Sequence, residues 1–71
     1  MMKPTFHRRL AKIADIVRKE GKIDRVNLCI KADITQATLY NYKSFLTQLY
    51  PEITYQEGLF IYHEEMDATK H

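Results

Sequence analysis

The chain has 71 residues, 45% of them hydrophobic and 28% charged, with a formal net charge of +2. That composition fits one ordinary globular domain, near the size at which a core alone barely holds a fold, because such a chain buries only about 60% of its unfolded surface. No apolar run approaches the ~20 residues of a bilayer span, and Met1-Met2-Lys3-Pro4 leads into no signal-peptide apolar stretch, so a cytoplasmic protein without membrane attachment is expected.

Cys29 is the single cysteine, which excludes an internal disulfide framework. With His7, His63 and His71 far apart in sequence, no zinc spacing exists. The charge is unevenly distributed. Residues 1–50 hold ten Lys/Arg against four Asp/Glu, a net of +6, and residues 51–71 hold one lysine against five acids, a net of −4. A basic first part suits a polyanionic partner, although ordinary solvated helix faces give the same balance.

From Pro4 to Glu20 the apolar residues Phe6, Leu10, Ile13 and Val17, with Ile16 beside them, recur at offsets of four, three and four. That is one stripe of a helix. Pro4 suits the first turn and Gly21 the stop. Arg8, Lys12 and Lys19 fall on the opposite, basic face. Lys22-Ile23 reads as a short extended link.

Asp24 is the natural N-cap of a second helix over about 25–31, since its carboxylate can accept from the free N–H groups of the first turn. Leu28 and Ala32 repeat at four residues there, and Val26 is expected to pack inward. Ala32-Asp33-Ile34 is the turn. Thr35 caps a third helix over about 35–50, with Leu39, Tyr42, Leu46 and Leu49 as its buried stripe and Pro51 closing it.

The periodicity then changes to two. Ile53-Thr54-Tyr55-Gln56 and Leu59-Phe60-Ile61-Tyr62 flank Glu57-Gly58, a two-residue hairpin loop over a wing at about 53–62. In that register Tyr55 faces Phe60 and Ile53 faces Tyr62, and these four share the core face. Leu59 and Ile61 lie on the other face with Thr54 and Gln56. A slip of one residue exchanges the faces. Residues 64–71 read as a polar, frayed tail.

The stretch RVNLCIKADITQATLYNYKS, Arg25 to Ser44, carries the strongest signal. Leu28 followed by small Cys29, Asp33 followed by apolar Ile34, then Leu39 and Tyr42, supply what two closely crossing helices and a tight turn require. The pattern resembles the winged helix-turn-helix family of DNA-binding domains over about residues 5–63. The fold class implied is α+β, mostly helical: three helices and a C-terminal β-hairpin wing in a single domain over residues 1–71. The turn departs from the family in having Asp33 where glycine is usual. The wing tip Gln56-Glu57-Gly58 departs in lacking Lys or Arg, so the wing is expected to be short and mainly structural.

The resemblance implies sequence-specific binding of double-stranded DNA, with the third helix in the major groove, as in a transcriptional regulator. Thr35, Gln36, Tyr40, Asn41 and Ser44 are the groove-facing positions it implies, with Ala37 beside them. Gln36 and Asn41 can each pair bidentately with an adenine edge, and Ala37 can meet a thymine methyl. Lys43, Arg25 and Lys31 would hold phosphates, joined by Arg8, Arg9 or Lys12.

Useful specificity from so small a module suggests a homodimer, with the outer face of helix 1 around Ile16 or the outer hairpin face with Leu59 and Ile61 as candidate surfaces. A contrasting reading is a winged-helix protein-interaction module in a larger assembly, supported by the acidic wing and by the exposure expected of Leu59, Ile61 and Tyr40. Nothing resembles a nucleophile–base pair, a phosphate-binding glycine loop or a metal cluster, so neither enzyme activity, a cofactor nor a small-molecule ligand is expected. In the DNA-binding reading the protein would associate with the nucleoid.

Overall fold

A computed structural model describes residues 4–67. The order is α1 (Pro4–Glu20), β1 (Lys22–Asp24), α2 (Arg25–Ala32), α3 (Gln36–Leu49), β2 (Ile53–Gln56), β3 (Leu59–Tyr62) and a 3₁₀ turn, η1 (Glu64–Met66). The fold is α+β, mostly helical, with a winged-helix-like topology. No helix among the described residues is long and apolar enough to cross a membrane.

The apolar stripe of α1 buries Leu10, Ile13 and Val17 against Leu28, Ala32, Leu39, Leu46, Ile53 and Phe60 from the other elements. Gly21 ends α1 in the left-handed region at φ 77°, where its N–H still reaches the Val17 carbonyl at 2.8 Å. The link at Lys22–Asp24 is a true strand. It pairs antiparallel with β3, so the sheet runs β1-β3-β2. The hairpin register is the one set by a two-residue loop, with Ile53 opposite Tyr62 and Tyr55 opposite Phe60. Glu57 and Gly58 both take positive φ, as the tight turn between right-twisted strands demands.

Asp24 caps α2, its Oδ2 accepting from the N–H groups of Val26 and Asn27 at 3.1 Å. Donation from the Asn27 side chain and backbone holds the Asp24 carboxyl below its ordinary range. The end of α2 is a Schellman motif. The Ile34 N–H donates to the Cys29 carbonyl, the Asp33 N–H to that of Ile30, and Asp33 sits at φ 57°, ψ 51°.

Several expectations need correcting. Leu49 is 53% exposed because the last turn of α3 runs past the edge of the core. Val26 also faces outward; Leu28, Cys29 and Ala32 occupy the inner face of α2. Ile16 is half-buried against the core and offers little outer surface, whereas Leu59 and Ile61, though half-buried, are not among the residues packed against the core, as the register requires.

The end of the chain is not frayed as far as it is described. Glu64–Met66 form a 3₁₀ turn and Asp67 is only 1% exposed; the remaining tail residues 68–71 lie outside the described residues. Asp67 and Glu52, which is also buried, meet Arg18 of α1. Arg18 Nη2 donates to Glu52 Oε2 at 2.7 Å and its Nε lies 3.6 Å from Asp67 Oδ2. The hydrogen bond to Glu52, opposed by burial, raises the Arg18 pKa above its ordinary value.

Candidate nucleic-acid interface

The turn and the start of α3 decide what this face presents. Thr35 is the N-cap: its Oγ1 accepts from the Thr38 N–H at 3.1 Å, and its hydroxyl lies 2.9 Å from that of Thr38. Capping therefore occupies the Thr35 oxygen, although the residue is exposed. Beyond the cap, Gln36, Ala37, Tyr40, Asn41 and Ser44 are all exposed. At 100° per residue these positions fall within one face of the helix. The opposite side is anchored by Leu39 and Leu46, and by Tyr42, which stacks edge-on against Phe6 with centroids 5.1 Å apart.

Tyr40 is 73% exposed. The amides of Gln36 and Asn41 make no hydrogen bond to other described residues, so their paired donors and acceptors remain available. The face thus combines two free amides, a hydroxyl, a phenol and a methyl on a rigid rod.

The cations expected beside it divide. Lys43 is half-buried on the flank of α3 facing the wing, with its Nζ over the rings of Tyr40 and Tyr55. Arg25 starts α2, where its N–H donates to the Gly58 carbonyl of the wing turn at 3.2 Å, and it lines the same cleft as Lys43. Lys31 is set apart, its Nζ 3.9 Å from Glu20 of α1. Arg9 and Lys12 border a second hollow together with Asp33, Thr35 and Thr38, so α1 presents positive charge beside the start of α3, and Arg8 is exposed on the same helix.

Sequence reasoning did not reach the partnership of Lys43 with Tyr55, which joins a helix to a strand. It also did not single out the exposed apolar residues Ile30 and Phe45. Ile30 has a legible signal in hindsight: it lies four residues after Val26, on the side of α2 away from Leu28 and Ala32. Among the described residues no group of three or more His, Cys, Asp or Glu is placed to hold a metal. Comparison with models of protein families, with curated proteins and with solved structures finds no match.

Proposed function

We propose that this protein binds double-stranded DNA by laying the outward face of α3 in the major groove, as a winged helix-turn-helix transcriptional regulator does. The observation that carries the reading is the exposure of Gln36, Ala37, Tyr40, Asn41 and Ser44 together on one face, on a helix fixed from behind by Leu39 and Leu46. An α-helix fits the major groove, and amide side chains match the donor–acceptor pair of adenine. The absence of arginine from this face favours A·T-containing sites. Lys43, Arg25 and the basic side of α1 supply phosphate contacts. One module of this kind covers about 600–1,000 Å² of protein surface, so two copies on a two-fold site would bring useful specificity.

The test is selection of bound duplexes from a random pool, followed by titration of the enriched sequence across salt concentrations. Enrichment of a defined site, with affinity falling steeply as salt rises, supports the proposal. No retention of any duplex at 50 mM salt refutes it.

A second reading, a protein-interaction module, is favoured by one observation. Val26 and Ile30 form an exposed apolar pair one turn apart, with Ile30 at 70% exposure. Stable capture of a protein partner without any duplex binding would select it.

A further inference from the structure

Between α3 and the root of the wing lies a cleft of about 270 Å³ lined by Arg25, Gln36 and Lys43, with Leu39 and Phe60 buried beneath. Among the described residues no acid lines it. The Lys43 Nζ lies 5.1 Å from the centroid of the Tyr40 ring and 4.6 Å from that of Tyr55. Tyr55 is itself held, its ring packed on Phe60 with centroids 4.7 Å apart. Among the described residues Lys43 makes no ion pair.

A lysine on an open helix face samples many rotamers, and ordering it on a ligand costs entropy. Two aromatic faces attract the ammonium and restrict it before any ligand arrives. They satisfy its charge only in part. Its N–H donors make no hydrogen bond to other described residues and still require oxygen acceptors. An anion with accessible oxygens meets that requirement, and Arg25 at the same cleft adds a second cation.

We propose that this cleft seats one backbone phosphate of duplex DNA, with Lys43 as the contacting group and Tyr55 and Tyr40 as positioning residues. The inference rests on the duplex-binding reading above and adds to it a role for the wing. The acidic tip at Glu57 contributes nothing to anion binding. The root does, because Tyr55 on β2 sets the lysine that α3 carries.

The experiment titrates the full chain against a labelled mixed-sequence duplex, at salt concentrations from 50 to 200 mM, for wild type, Lys43→Met, Tyr55→Leu, Tyr55→Phe and the double variant Lys43→Met/Tyr55→Leu. Lys43→Met is expected to weaken every duplex alike, by about tenfold at low salt. It should also flatten the salt slope by about 1, the signature of one lost phosphate contact. Tyr55→Leu weakens binding in the presence of Lys43, adds nothing in the double variant, and is rescued by Tyr55→Phe.

A wild-type chain that binds duplex while Lys43→Met keeps the full slope overturns the phosphate seat and leaves the duplex reading standing. Equal loss from Tyr55→Leu with and without Lys43 overturns the positioning role. A wild-type chain that binds no duplex ends both proposals. Lys43 is a flank side chain outside the core, so its substitution decides the seat even if Tyr55→Leu does not fold.

Discussion

Tyr62 Oη donates a 2.7 Å hydrogen bond to Asp67 Oδ2, the same carboxylate oxygen that faces Arg18 Nε at 3.6 Å. One acid near the end of the described chain thereby ties the last strand to the first helix. Arg18 Nε is shut off from solvent and makes no hydrogen bond to other described residues, so its charge relies on the nearby carboxylates. Glu52, on the stretch between α3 and β2, closes the group from the other side at 2.7 Å. Two of the five acids in the negative final part of the chain are thus matched by α1, and the sequence's charge asymmetry is partly internal to the fold.

The Tyr62 hydroxyl has its pKa pushed up to about 12, first by its hydrogen bond to Asp67 and then by burial. A group whose folded pKa exceeds its unfolded one stabilises the fold fully below the unfolded value, here the ordinary 10, and loses that contribution as pH rises toward 12. An ultraviolet titration of tyrosinate should show one of the five tyrosines ionising last. Tyr62→Phe should abolish that late step. A late step that persists in the variant belongs to another tyrosine.

Asp67→Ala should be the costlier change at this cluster. It leaves the Tyr62 hydroxyl without its acceptor and removes one of the charges facing Arg18. A hydrogen bond to a buried charged group such as Asp67 contributes about 1.5–3 kcal/mol, and each kcal/mol lowers the midpoint of a domain this size by roughly 4–8 °C. Thermal unfolding followed by circular dichroism measures it. An unchanged midpoint would mean that the end of the chain is not tied down in solution.

The Asp33 turn gives a prediction of opposite sign. Its left-handed geometry, φ 57°, strains any residue with a β-carbon, and aspartate tolerates it only better than most. Asp33→Gly relieves that strain but adds freedom to the unfolded chain, for a net gain of about 0.5 kcal/mol. Asp33→Val should cost about 1–3 kcal/mol, because a branched β-carbon fits this region worst. Urea midpoints for the three chains should rank glycine above aspartate above valine.

The fold was largely legible because its elements announce themselves over short distances. The four-three-four spacing of α1, the caps at Asp24 and Thr35, and the period-two strands around Glu57-Gly58 are each contained within one element. The hairpin register followed from loop length alone. What could not be read joins residues distant in the chain. Arg18 and Glu52 are 34 positions apart, and an ion pair at that separation leaves no periodic trace. Leu49 continues the apolar spacing of α3, but spacing does not say where the core ends. On the candidate face, Thr35 through Ser44 emerge together by helix geometry, whereas the seating of Lys43 over Tyr55 depends on how α3 packs against the hairpin.

Cys29 reports on the integrity of the helix crossing. Burial in the core raises its thiol pKa, so little reactive thiolate forms near neutral pH. Thiol reagents should label the folded protein slowly and the urea-unfolded protein at the rate of a free cysteine. Rapid labelling of the native chain would show that α2 opens readily from α1 and α3, which would undercut the rigid α3 on which base reading depends.

On the face itself, Asn41 and the phosphate-directed cations should fail in different ways. Asn41 is exposed on the outward arc of α3 and has no intramolecular hydrogen bond among the described residues, so its removal should cost the fold little. If it pairs with an adenine edge, Asn41→Ala removes about 1–3 kcal/mol of discrimination at one base pair and leaves the salt dependence intact. Competition between the selected duplex and single-base variants measures that difference directly. Arg25→Ala should instead weaken every duplex alike and flatten the salt slope. The contrast depends on what the side chains can recognise: an amide can distinguish base edges, whereas a guanidinium facing phosphates meets the same charge at every step of the helix. Equal losses on all duplexes for Asn41→Ala would place that residue on the backbone and shift base reading to Gln36, five residues nearer the start of α3.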